Sequence, residues 1–427
     1  MLRFVLASLL PAGMILAGFV RGGAWPYSAL ATMTVGIALA DKFTALNQAP
    51  ADPRQARAAA DALSLAQAAA HFALLLIGVP ALAGGGLAGK GLAGGGMDWP
   101  ALDWPAALAA GLAMALYFGQ VSHPNAHELI HRPGRWLRRL GAAIYVSLLF
   151  GHHVSAHLRV HHVHVATRRD PNSAPRGMGF WRFWGRAGPG SFRAGLRAET
   201  AARRRRMRGR ADLRAGPDWR HPYVAWIGGA LLCLGIAWAL AGPAGVAIYL
   251  GLAIYAQAQI LLADYVQHYG LRRAENGAGR AEPAGPRHSW NARPWASAAM
   301  MLNAPRHSDH HLNPGRVFPA LRLDPAAMPV LPYSMPVMAV IALWPPLWRR
   351  VMDPLVAQWA QAEAPRPEAA VGAGAGPGVA AGPGAGPGAG AGARDLPRSA
   401  HATGAADSPD AGGRAEPGRK PDVGGGL

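Results

Sequence analysis

The chain has 427 residues, 51% of them hydrophobic, with 42 Lys and Arg against 23 Asp and Glu, a formal net charge of +19. Length alone allows two or three soluble domains. The apolar residues, however, fall in blocks of about twenty separated by strongly polar stretches, the pattern of an integral membrane protein. The basic residues lie between and beside those blocks, where they mark the cytoplasmic side, so the charge does not call for nucleic acid. The single cysteine, Cys233, sits inside an apolar block. It excludes a disulfide framework, a cysteine-based zinc site and a built-in iron–sulfur module, and reads as a small packing residue.

The first apolar block runs from about Leu2 to Val20 and is expected to be a retained helix, although Arg3 ahead of it also suits a signal peptide. The second runs from about Tyr27 to Ala40 and the third from about Ala62 to Leu82, with His71 as a packing or hydrogen-bonded histidine. A glycine-rich loop, Gly84 to Pro105, carries Trp99 and Trp104, which suit a membrane interface. The fourth span is about Ala106 to Val121. Spans five and six, about Tyr223 to Ala241 and Ala244 to Ala263, are joined by a Gly242-Pro243 turn. Met328 to Trp348 is broken by prolines and reads as a surface-lying or re-entrant element.

The expected fold is therefore an all-α integral membrane protein with about six transmembrane helices. Loops 41–61, 123–222 and 264–327 fall on the cytoplasmic side. Loop 123–222 holds 20 arginines and five acidic residues, which assigns it inward. Residues 1–350 form one membrane domain; 364–427 are Gly, Ala and Pro with scattered charge, a composition expected to stay disordered.

Of 17 histidines, twelve fall in three clusters and a thirteenth is His268, and all of these lie in the loops assigned inward. His127-Glu128-Leu129-Ile130-His131 places two rings four apart on one helical face. Alone it is also HExxH, a zinc-protease signature, but a protease needs one further ligand and this chain offers many. The second cluster is His157-x3-His161-His162 and the third His307-x2-His310-His311. In each, an i, i+3 or i, i+4 couple adjoins a histidine offset by about 100° on an α-helix, so one segment can serve two neighbouring ions. Nine imidazoles exceed the roughly six positions of one ion and imply two, with iron, zinc, copper or nickel as candidates. His123, His152, His153 and His164 read as structural or supporting groups; His221, His288 and His401 have no local support.

HELIH, HxxxHH, QHYG and RHSDHH, in this order, resemble the boxes of the membrane-bound non-haem diiron family of fatty acid desaturases and hydroxylases, and most closely its alkane hydroxylase branch. The resemblance covers about Leu2 to Trp348. It implies that His127, His131, His157, His161, His162, His268, His307, His310 and His311 hold two iron ions, with O2 as co-substrate and Glu128 and Asp309 as supporting carboxylates, Asp309 able to orient a ligand imidazole. Three positions depart from the alkane hydroxylase pattern. Ala156 stands where Glu precedes the second box, and Asp264 and Gln267 replace Asn and Glu before His268. Groups around the ligands tune affinity and potential, so the departures bear on substrate more than on chemistry.

The resemblance further implies hydroxylation of an apolar hydrocarbon entering from the lipid bilayer, in a bacterial inner membrane with the site facing the cytoplasm. The chain has no cysteine cluster, flavin motif or nucleotide-binding glycine motif, so electrons come from another protein, which by the resemblance is a rubredoxin or ferredoxin with its reductase. Such donors are acidic, and the run Arg203 to Arg206 suits docking or lipid headgroups equally. Competing expectations are a lipid acyl desaturase or an aryl-methyl (xylene-type) monooxygenase using the same site, and a metal transporter. The last needs ligands spread through the membrane depth.

Overall fold

A computed structural model describes residues 1–43, 49–84, 102–206, 219–275 and 280–361. The Gly/Ala/Pro-rich tail from 364, Trp99 and His401 lie outside them. The described residues are mainly helical, with two isolated β-bridges and no strand.

Among the described residues, four helices are long and apolar enough to cross a membrane. The first, α1 (Leu2–Arg21), buries Phe4, Ile15 and Phe19. Next come α2 (Trp25–Ala31) and α3 (Ile37–Phe43), joined by a π-helical turn, Thr32–Gly36. The expected second span, which runs into Asp41 and Lys42, is less apolar than the four and does not count among them. The second long helix, α4 (Pro53–Leu82), starts on Pro53, with the Asp52 carboxylate accepting from the Arg54 N–H at 2.7 Å. The third is α5 (Trp104–Tyr117), capped by Asp103 and continued through a π turn, Phe118–Ser122, into α6 (His123–Ile130).

Expected spans five and six are one 47-residue element, α11 (Pro222–His268), broken at Ala241 and Gly242. Gly242 takes φ 60°, a conformation open to glycine, and Pro243 follows. A straight helix would separate Trp226 and Gln257 by roughly 46 Å. Both instead reach the segment 148–155: the Trp226 indole N–H donates to Ser155 and the Gln257 amide to the Leu148 carbonyl. The halves therefore fold back alongside each other.

The region expected as one loop, 123–222, is partly embedded in the core. It contains α7 (Arg135–Ser147), α8 (His152–Ala156), α9 (His162–His164) and α10 (Phe180–Arg206). Val146 meets α11 at Gly229, and Tyr249 donates to the Ser147 carbonyl. The chain dips beside α11 and returns. Its apolar run, Leu140–Phe150, is too short to register as a span.

The remaining helices are short: α12 (Trp295–Met300), α13 (His307–Leu312), α14 (Met335–Ala342) and α15 (Pro345–Gln361). The proline-broken segment from Met328 lies against α11, with Trp348 fully buried on Tyr265 and Tyr269. The three polar regions meet at one end of the long helices. Asp41 accepts from the Ser297 N–H, Ala51 donates to the Pro319 carbonyl, and Arg273 donates to the Val163 carbonyl. The histidines converge there.

Candidate metal centre

The nine imidazoles named above come together in two adjacent groups. His127, His131, His157, His162 and His310 form one; His161, His268, His307 and His311 form the other. Within each group the ligand atoms lie within 4.8 Å of one another.

Local backbone decides which ring goes where. His127, on α6, and His131, just past its end, share the five-ring group, as i, i+4 spacing predicts. In the second cluster the couple is different. Residues His157–His161 form a π turn, whose i→i+5 repeat brings His157 and His162 into one group and leaves His161 for the other. The expected 157/161 couple is thereby replaced. In α13, His307 and His311 pair across one turn while His310 faces the five-ring group. Leu302 and Asn303 precede α13 at φ 50° and 56°, a left-handed pair that costs conformational energy and is held by surrounding bonds. The Asn303 amide donates to the Phe318 carbonyl at 2.8 Å.

The ring nitrogens do not satisfy one another. His157 Nε2 lies 2.9, 3.1 and 2.9 Å from the Nε2 atoms of His127, His131 and His162. An imidazole nitrogen carries one proton or one lone pair, so only one of these contacts can be a hydrogen bond. His307 Nε2 is 3.1 Å from Nε2 of both His268 and His311, and His161 Nε2 is buried with no partner. Lone pairs gathered this closely call for a cation. Two nitrogens about 2.0–2.1 Å from one ion and at right angles to each other are about 2.9 Å apart, so the donor sets fit metal ions.

The tautomer of one ring is set by a carboxylate that sequence reading missed. His161 Nδ1 lies 2.9 Å from Asp170, leaving Nε2 for a metal. Asp170 also accepts from the Ser173 hydroxyl at 2.7 Å and the Asn172 N–H at 3.0 Å. Asn172 in turn donates to Asp264 at 2.6 Å, one turn before His268. Burial disfavours charge on both His161 and Asp170, but each partner outweighs it: His161 stays protonated above the ordinary imidazole range and Asp170 ionised below the usual carboxylate range. His131, by contrast, is pushed down to about 4 by burial and by His161. An acidic residue in Arg168-Arg169-Asp170-Pro171, within a region so poor in acids, was the available signal.

Glu128 and Asp309 both bond to the chain that follows α13. Asp309 binds Arg316 through both oxygens at 2.6 Å, the Asn313 amide at 3.0 Å and the Arg322 N–H at 2.9 Å. These partners lie in the chain after α13, so Asp309 anchors that segment, and among the described residues no imidazole is bonded to it. Glu128 accepts from the Phe318 N–H at 2.9 Å and pairs with Arg132 at 3.2 Å, which also meets Asp61. Tied this way, it is not available as the general base of a zinc protease.

A model of the fatty acid desaturase family matches residues 102–340. The chain belongs to that family. Among curated relatives of this family member, alkane 1-monooxygenase 2 of Pseudomonas aeruginosa is 33% identical over 253 residues, 59% of this chain and 65% of the relative. The alkane 1-monooxygenase of Pseudomonas putida is 32% identical over 258 residues, 59% and 62%. The xylene/toluene monooxygenase hydroxylase component of Pseudomonas putida is 28% identical over 256 residues, 59% and 65%. The matches thus span less than two thirds of these relatives' lengths.

The family departures have structural counterparts. Gln267 donates its amide to the Ala304 carbonyl at 3.1 Å, a bond that an ionised Glu could not make. Ala156 is buried where α10 passes at Gly195. A cavity of about 40 Å³ adjoins both groups, lined by His123, His127, His153, His157, Asp264 and Met335 among others. This admits only molecules of about water size. His123 and His153 extend the first two histidine rows by one turn without joining either group; His123 instead meets the Tyr145 hydroxyl at 2.9 Å. His71 bridges Ser122 and Ser147 at 2.9 and 2.8 Å. His288, for which the sequence offered no role, presents its carbonyl 3.4 Å from His268 Nδ1.

Proposed function

We propose that this protein is a membrane monooxygenase that hydroxylates an apolar hydrocarbon, the terminal C–H of an alkane or alkyl chain: RH + O2 + 2e− + 2H+ → ROH + H2O. The observation carrying this reading is the division of nine imidazoles, six of them buried and His131, His162 and His311 half-buried, into sets of five and four whose lone pairs converge without counter-donors. Two iron ions would be held there by the nine residues, and would supply the reduction of dioxygen and attack on an unactivated C–H bond.

The protein's own contribution is placement. The π turn at His157–His161 and the Asp170 contact orient rings before any ion arrives. The cavity beside the rings has room for little more than water, so the substrate end would enter by displacing side chains such as Met335. Electrons come from a separate donor, a rubredoxin or ferredoxin with its reductase. The membrane is the bacterial inner membrane, with the histidine end facing the cytoplasm, in keeping with the arginines of 123–222.

The test is metal analysis of purified protein, followed by turnover with a reconstituted donor on octane, hexadecane, xylene and acyl lipids. About two irons per chain and a primary alcohol are expected. The family match also favours acyl desaturation as a second reading; products that are only unsaturated would establish it and sink hydroxylation. Zinc in place of iron would sink both.

A further inference from the structure

Between α10, the turn at Phe150 and the second half of α11 lies a groove of about 640 Å³ that the metal centre does not use. Its walls are Phe150, Trp184, Phe192 and Leu261, and Arg193 stands at its edge. We propose that this groove is a binding site for an anionic phospholipid, with an acyl chain along the aromatic wall and the phosphate at Arg193 and Arg197.

Position supports a lipid. The Tyr223 hydroxyl donates to the Phe192 carbonyl at 2.7 Å, so this part of α10 sits level with the start of α11. There the outward face of α11 becomes apolar and exposed, through Val224, Ile227 and Leu231, and exposed Trp219 precedes it. Those residues mark the bilayer boundary. The groove therefore opens where headgroup gives way to acyl chain.

Sequence pattern supports it too. α10 buries Phe180, Phe183, Ala187, Ser191, Gly195, Glu199 and Ala202, a single helical stripe. Arg193 and Arg197 lie one turn apart on its exposed side, and no partner meets Arg193 among the described residues. An amphipathic helix with arginines outward and aromatics toward the acyl region is the form that lies in a membrane interface. The groove is open, with His152 and Gln257 among its aromatic and aliphatic walls, and suits an acyl chain lying beside a headgroup at Arg193.

Glycine keeps the groove open. A Cβ at Gly185 would meet nothing within 4 Å, so Gly185→Leu should fill the space without a clash and with better helix propensity. The full-length protein is placed in nanodiscs of phosphatidylcholine with phosphatidylglycerol, released into detergent, and retained lipids are counted by native mass spectrometry. The expected result is one retained phosphatidylglycerol per chain in the wild type. Gly185→Leu and Arg193→Gln/Arg197→Gln should each lower retention at least tenfold, with metal content unchanged. Equal retention of phosphatidylcholine, replacement of the phospholipid by added oleate at equal concentration, or unchanged retention in the variants overturns the proposal. So does weakened binding of an acidic redox protein by the arginine variant with lipid retention intact, which would make the face a protein docking surface.

Discussion

The two histidine groups use the same ligand type but are organised differently. The five-ring group is closed by the rings themselves: His157 Nε2 alone touches three others, and burial drives rings such as His131, His157 and His310 toward the neutral form. In the four-ring group two rings, His161 and His268, lean on their surroundings. His161 is held by Asp170, Asp170 by Ser173 and the Asn172 N–H, and His268 faces the His288 carbonyl. A site closed by its own ligands should fail when a ligand is removed, whereas a site held by outer contacts should also fail when those contacts are weakened.

The largest expected effect separates the groups directly. His310→Ala should empty the five-ring group and His268→Ala the four-ring group. In each case iron should fall from about two ions per chain to about one and oxygen-dependent turnover should vanish, with membrane insertion intact. Full metal and activity in either variant would refute the assignment of that ring.

Next is Asp170→Asn, which keeps the shape and removes the charge. Contacts of this kind are worth about 10–100-fold in metal affinity. Chelator competition should therefore show one ion released at about 10–100-fold lower chelator concentration while the other is unaffected. Equal loosening of both ions would mean that Asp170 supports the fold in general.

The smallest effect concerns Gln267. Replacement by Glu removes the donor to the Ala304 carbonyl and leaves buried acceptors facing each other, a cost of about 1–3 kcal/mol. A fall in Tm with iron content unchanged is expected; a rise in Tm would show that the carboxylate finds a better partner.

Much of this molecule was legible in residue pattern. Apolar blocks placed α1, α4, α5 and both halves of α11, and the Gly242-Pro243 pair located the break, because glycine alone takes that φ cheaply. The row His127 and His131 followed from helical period. The packing of α7 on α11 was not legible, since a short, mostly apolar run followed by a turn looks like an ordinary buried helix.

Residue types and spacing by themselves determined that imidazoles would gather at one end of the helices and that more than one ion's worth was present. Only the tertiary structure decided how they divide. A π turn moves His162 beside His157 by changing the backbone repeat, which leaves no mark in side-chain periodicity. The direction of a short carboxylate likewise depends on turns: Asp170 reaches His161 because Ala166, at φ 57°, bends the chain back, whereas Asp309 is taken by Arg316 and Arg322. Charge and spacing name the candidates; local backbone geometry selects among them.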